Sequence, residues 1–525
     1  MPGQELRLGP FVGGLNLFSD QSAVADTEMV TCINYEVGID GSLLSRPPIS
    51  VHESAPPSAT SNMKILLLAD LNNTLYLIGS NNQGVYWSTG QGVNWTLISG
   101  TISSDCAVQY NNKVWFFPKS THAAGGATWD GTTFVTLATL PGAANVIMFK
   151  ERAWIVPGIN ATTNTARLQF SLTADPGSWN TGDATFIDIN PGDGHKLIDV
   201  ITYQDNLVLF KEDSTYVFAF DSVPSSSSLK KVNNIIGASG YNCVVPFENS
   251  IFVLHRNSIY EIINYHWTKI NIKVPPVYDN SAPGGGSYTL PKFITLFGDR
   301  LIFRYYRKLY SFGLRTRTWT EFQFSTSNNE HWFGPLVCLP SSSDPVYNLD
   351  VYYGGSVISN DIKTFYLQDG YDNVTSESAA ITCTMQTKNF DSAYGRRYRI
   401  FSFGQRFKKM HWWGADVVTS QAVTGIATPV VTNFQVTWAQ AKTYTWAQLN
   451  TWLQPLLVIP GTTTTWSSPG INARHFIKFM KSLRYRQINF QVIMTTDGTL
   501  VTGPARLFGI LNVMEVKDVV TEGSN

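Results

Sequence analysis

The sequence predicts an all-β chain: a six- to seven-bladed β-propeller, preceded by an N-terminal arm and followed by a C-terminal β-sandwich domain. Three observations predict it. Short apolar runs bounded by turn residues recur from about residue 63 to 375, with almost no stretch of helical period. One hairpin pattern appears six times at separations of 39, 39, 54, 44 and 50 residues, the repeat length of a four-stranded blade. From about residue 376 the runs lengthen, as in a sandwich. The expected divisions are 1–55 for the arm and its hairpin, 56–375 for the propeller and 376–525 for the sandwich. The last holds an almost uncharged Thr/Trp-rich insertion at about 419–473.

The arm opens with Leu8-Gly-Pro-Phe-Val-Gly-Gly-Leu-Asn16, and residues 25–29 read as a short helix capped by Asp26. A strand over 32–37, an Asp40-Gly41 turn and a return over 42–45 make a hairpin, since Asp-Gly between apolar runs suits a two-residue turn. Arg46-Pro47-Pro48 follows, and the segment also reads as an ordinary N-terminal arm that closes the propeller ring. The first blade reads as strands over 64–69, 74–78, 84–88 and 94–98. Its hairpin, Leu71-Asn-Asn-Thr-Leu75, returns as Tyr110-Asn-Asn-Lys-Val114, Phe149-Lys-Glu-Arg-Ala153 and Tyr203-Gln-Asp-Asn-Leu207. Phe247-Glu-Asn-Ser-Ile251 and Phe297-Gly-Asp-Arg-Leu301 complete the series. Aromatic third strands follow, and Trp95, Trp267 and Trp319 mark fourth strands. A seventh blade fits 333–372. One blade cannot bury both faces, whereas neighbours around a ring can; an irregular array of stacked sandwiches is the alternative. Residues 171–179 read as a tight turn sealed by Trp179.

Beyond the propeller, strands are expected over 380–387, 407–418, 432–438, 482–494 and 505–516. Thr-Trp-Ala-Gln occurs twice in the insertion, and Trp446, Leu449 and Trp452 are spaced to share one side of a helical turn. With Trp438 they either cap the sandwich core or form a docking surface for a neighbouring copy or tail protein.

Charge is sparse at 14%, aromatics reach 13%, and Lys plus Arg equals Asp plus Glu at 38 each. That argues against disorder and against a dedicated nucleic-acid binder. The balance is uneven: residues 391–525 carry a net +8 and residues 1–390 a net −8. Basic segments with interleaved aromatics include Arg396-Arg397-Tyr398-Arg399, Arg406-Phe407-Lys408-Lys409 and a run from Arg474 to Arg486. They suit a seam with the acidic part of another copy, strand edges protected by charge, or contact with DNA. The five cysteines are far apart, as in buried thiols of a protein folded in a reducing cytoplasm. No apolar run suits a membrane anchor or signal peptide. The eight histidines are scattered, and no metal, phosphate-loop, dinucleotide or nucleophile-elbow motif occurs, so neither enzyme activity nor a cofactor is expected.

The Gly-Gly-Leu-Asn arm, the acidic residue near 28, the Asn-containing strand and the Gly41-Ser-Leu…Arg46-Pro47 hairpin together resemble the opening of bacteriophage tail and virion proteins. The tandem Tyr-Thr-Trp segments and the closing strands with Arg506-Leu-Phe-Gly-Ile510 are similar to those of podovirus tail nozzle proteins. The resemblance implies a virion protein assembled in the host cytoplasm, forming a ring, most simply a hexamer, around the DNA exit path. It also implies contacts with other tail or adaptor proteins and transient contact with exiting DNA. Residues 88–95 resemble the Asp-box turn of sialidases in degenerate form, with Gly90 and Asn94 in place of Asp and Thr. The alternative function is a carbohydrate-binding or sialidase-like propeller that touches host-surface glycans.

Overall fold

The structure is a computed structural model. It describes residues 4–323 apart from several short stretches and 275–293, and beyond these the strand segments between 337 and 517. The chain forms two compact units: residues 51–307 and 328–367 make one, and residues 1–50, 308–327 and 368–525 make the other.

The first unit is built from antiparallel four-stranded meanders. Blade 1 is Lys64–Leu71, Thr74–Asn81, Gly84–Ser88 and Thr96–Ser99; blade 2 is Ser104–Tyr110, Lys113–Pro118, Gly126–Trp129 and Phe134–Leu137. Blade 3 is Ala143–Phe149, Arg152–Pro157, Arg167–Phe170 and Thr185–Asp188; blade 4 is Leu197–Tyr203, Asn206–Lys211, Thr215–Ala219 and Ser228–Asn233. Blade 5 is Val244–Phe247, Ser250–His255, Ser258–Ile263 and His266–Lys269, and a sixth opens with Ile294–Phe297 and Arg300–Tyr305. The seventh sheet, Val337–Leu339, Val351–Ile358 and Asp361–Leu367, takes its fourth strand from Ile49–Glu53, ahead of blade 1. First strands of blades 1 to 6 lie beside one another in order, and Val337–Leu339 lies beside Lys64–Leu71. This order of neighbouring four-stranded sheets, with the last taking a strand from ahead of blade 1, is that of a β-propeller.

The repeat reaches down to single residues. Blades 1 to 4 each carry a register shift at the same point of the first strand: Ile65/Leu67, Ser104/Cys106, Ala143/Asn145 and Leu197/Asp199. Between blades the filling is aromatic and branched: Trp154, Phe170, Val200, Leu209 and Phe218 pack together between blades 3 and 4. The turn over 171–179 has the expected form, with Trp179 donating its indole N–H to Pro176 O at 2.8 Å and set edge-on to Phe117. The Asp-box-like residues 90–94 lie outside the described residues.

The expected hairpins are two-residue turns with both residues left-handed: Asn72/Asn73, Asn111/Asn112, Lys150/Glu151 and Gln204/Asp205. Positive φ at both positions matches the twist of the flanking strands. Asn tolerates that region; exposed Glu151, at φ 58, does not gain from it. Glu151→Gly should therefore raise the unfolding free energy by about 1 kcal/mol, read as a higher melting temperature.

In the second unit, one sheet runs Asn472–Tyr485, Arg397–Lys408, Arg506–Lys517, Leu43–Ser45, Tyr35–Val37, with Gln4–Leu8 also paired to Arg506–Lys517. The other includes Trp319–Phe322, Glu28–Ile33, Thr382–Thr387 and Gln491–Thr495 in that order. Segments before residue 50 thus pair with strands from much later in the chain, and Glu28–Ile33 lies between two of them. The helix expected at 25–29 is absent: Glu28 begins a strand, and residues 25–27 form a turn. Tertiary pairing overrides the cap signal, because Glu28 and Met29 lie parallel to Gly14 and Leu15. The run expected over 482–494 is split between the two sheets. Of the strand expected over 407–418, Phe407 and Lys408 end the strand Arg397–Lys408; residues 409–418 and the strand expected over 432–438 lie outside the described residues.

The corner between the sheets is Asn34, left-handed at φ 58, joining Glu28–Ile33 to Tyr35–Val37. Arg46, 2% exposed, fills it. Its Nε donates to Asn34 Oδ1 and its Nη2 to Gln323 O, both at 2.9 Å, while Gln323 N donates to Asn34 Oδ1 at 2.7 Å. At the start of Glu28–Ile33, Gly14 is required opposite Glu28: at φ 67, a Cβ would lie 2.8 Å from Thr318 Cβ. At the same start of the strand, Asn16 Nδ2 donates to Glu28 Oε2 at 2.8 Å.

Candidate interaction face

Three strands of the second unit are unusually long, at 14, 12 and 12 residues: Asn472–Tyr485, Arg397–Lys408 and Arg506–Lys517. Each extends for about 40 Å. Their register places like charges opposite one another. Arg399 faces Arg484 and Arg406 faces Arg474 on one side; Arg397 faces Lys517 and Lys408 faces Arg506 on the other. The register shift between Ile400 and Ser402 keeps this face continuous, since Arg399 and Ser402 lie opposite Glu515 and Val513, two residues apart. With Lys478 opposite Ser402, nine cationic positions share one face with the acidic Glu515. Gln4–Leu8 adds Glu5 and Arg7 to it. The opposite face takes Ile400 with Leu483 and Met514, and Phe403 with Ile477.

Three of the residues expected at a docking site, Arg397, Arg406 and Lys408, are on this sheet. Arg396, Lys409, Trp438, Trp446, Leu449 and Trp452 lie outside the described residues. Arg506, which the sequence marks only as part of a closing strand, and Lys517 are not among the expected docking residues; the alternation in Arg397–Lys408 is the available signal, but it cannot supply the partner strands.

Within the propeller, many carboxylates are already engaged. Arg152 binds Asp183 through both terminal nitrogens, and Arg167 binds Asp188 at 2.8 and 3.1 Å. The Arg152 and Arg167 hydrogen bonds hold these two carboxyls below the usual range. Asp130 is lowered by the backbone N–H groups of Thr133 and Thr132 and by the Thr132 hydroxyl. Arg256 reaches Asp213 at 3.1 Å.

The first strands of the propeller hold a second polar cluster. Asp199, 4% exposed, accepts hydrogen bonds from Asn145 Nδ2 of the neighbouring blade and from Val200 N at 2.9 Å. Burial outweighs these and pushes its carboxyl up to about 7. Lys64 donates to Asp105 O at 2.6 Å between blades 1 and 2. These strands contain no Arg, the residue a sialidase-like centre would gather. Because the folded carboxyl keeps its proton to higher pH than the unfolded one, stability declines from about pH 4 to about pH 7 and then levels. Asp199→Asn keeps both accepted hydrogen bonds and should flatten that slope. It should match the parent near pH 4 and exceed it above pH 7 by on the order of 3 kcal/mol, measured by denaturant unfolding across pH.

Cys32, Cys106, Cys243 and Cys383 are buried free thiols, and burial pushes Cys106 up to about 12. Among the described residues no group of three His, Cys, Asp or Glu could hold a metal ion.

No family model and no curated protein matches the sequence. Solved structures with some likeness include the extracellular domain of BT4673 from B. thetaiotaomicron, at 9% identity and TM-score 0.41. The match covers 70% of this chain and 44% of that one, so the chain spans less than half of its length. The Neurospora crassa Pan2 WD40 domain has 7% identity and TM-score 0.38 over 63% of this chain and 98% of its own. YCF48 bound to D1 peptide has 8% identity and TM-score 0.37 over 62% and 98%. Likeness at this level carries no argument about activity, and the fold rests on the strand order and register.

Proposed function

We propose that the chain is a structural subunit of a bacteriophage virion tail, a nozzle or minor tail protein that forms a symmetric ring or adaptor around the DNA exit path. The observation that carries this reading is the joint at Asn34. Residues behind the resemblance have geometric tasks at the two ends of one strand of the second unit, Gly14, Leu15, Asn16 and Glu28 at its start and Asn34 with Arg46 past its end, and this supports the reading. A propeller and long-stranded sheets offer rigid surfaces, and the mechanism is mechanical: such surfaces hold neighbours through large interfaces and keep a channel in shape. Among the described residues no helix is long and apolar enough to cross a membrane. An antibody raised against the purified chain should decorate the tails of intact particles in electron micrographs. Labelling confined to capsids, or absent from particles made while the chain is expressed, would refute the assignment.

A further inference from the structure

We propose that Lys64 is a pH-governed switch among the first strands of the propeller. Its amine holds Asp105 O of blade 2 while Asp199 is neutral, and turns to Asp199 Oδ2 of blade 4 once that carboxyl ionises. The switch lies within one chain and stands apart from the tail reading.

Both hydrogen bonds that Asp199 accepts, from Asn145 Nδ2 and from Val200 N, end on Oδ1. Among the described residues Oδ2 accepts none, so the neutral acid carries its proton there. Ionisation leaves that oxygen charged, in a residue only 4% exposed, with no donor. Lys64 is the cation at hand. Burial raises the Asp199 carboxyl to about 7, against the Asn145 and Val200 hydrogen bonds and the Lys64 amine, which lower it. Lys64 and Asp199 therefore share one electrostatic setting although they stand on blades 1 and 4. The amine sits on a flexible four-carbon stem with three donors, one of them used on Asp105 O at 2.6 Å. A carboxylate is the stronger partner, since charge-assisted hydrogen bonds are roughly twice as strong as neutral ones. The other titratable groups nearby offer no cation. Asp105 and Glu212 are acidic, and Tyr241 is pushed up to about 12 by burial and then by Asp199, Glu212 and Asp105, which keeps it a neutral phenol. The switch exchanges a tie between blades 1 and 2 for one between blades 1 and 4.

The test uses the full-length chain. Crystal structures at about pH 5.5 and about pH 8.5, below and above the Asp199 value, should differ at Lys64. Nζ should lie on Asp105 O at the lower pH and within hydrogen-bond distance of Asp199 Oδ2 at the higher. In Asp199→Asn it should stay on Asp105 O at both. In solution, a double-mutant cycle of Lys64→Met and Asp199→Asn should show no coupling at the lower pH. At the higher pH the coupling should reach about tenfold in the unfolding constant. Nζ still on Asp105 O at the higher pH overturns the proposal, as does a coupling that is the same at both.

Discussion

Arg46→Met should lower the stability of the second unit by about 2–4 kcal/mol, seen as an early unfolding step in calorimetry. The Arg46 guanidinium is buried at a corner where two sheets exchange a strand, and it donates to Asn34 Oδ1 and Gln323 O. Methionine fills part of the volume and satisfies neither acceptor. Asn34 Oδ1 keeps the Gln323 N–H donor at 2.7 Å, so the loss falls on Gln323 O and on the buried volume that methionine leaves unfilled. Arg46→Lys separates the two contributions: it keeps the cation but cannot span both acceptors, so it should fall between parent and Arg46→Met. Equal stability of all three proteins would show that the corner is held by strand pairing alone.

Lys211→Met should cost more, about 3–5 kcal/mol, and should act on the propeller. The amine of Lys211 is fully buried beneath a short turn, donating to Ile189 O at 2.9 Å, to Asn190 O at 3.0 Å and to the Asp193 carboxylate. Removing it leaves two carbonyls and a carboxylate without that donor. The effect depends on pH. Burial alone would raise the Asp193 carboxyl, but the Lys211 amine and the His195 N–H hold it below the ordinary range. A lowered carboxyl contributes stability above its unfolded value near pH 4 and loses it as pH falls through its folded value. The difference between parent and Lys211→Met should therefore be largest near pH 7 and narrow below about pH 4 in denaturant titrations.

The propeller was largely legible because its signals are local. A two-residue turn with positive φ needs Asn, Asp or Gly, and Asn72-Asn73 and Asn111-Asn112 display that chemistry directly. That an N-terminal arm closes the ring was a reading of the sequence, but the strand it supplies was not legible: Ile49–Glu53 pairs with a strand some 300 residues away, and no periodicity connects them. The corner at Asn34 was hidden for the same reason. Asn34, Arg46 and Gln323 are ordinary residues until register brings them together, and local cap chemistry at Asp26 pointed to a helix that sheet pairing displaced. The basic segments were visible as composition. Their arrangement as opposed pairs on one face appears only when three strands from residues 397–517 are aligned. The apolar Trp segments gave a docking expectation that lies outside the described residues.

The central claim is that copies of this chain close into a ring. The mass distribution of the purified full-length protein tests it most directly, by sedimentation velocity or single-particle mass measurement over a wide concentration range. A discrete closed species, with six copies the expected number, is the predicted result. A monomer that persists to the highest soluble concentration, with no larger species at low or moderate salt, would contradict it.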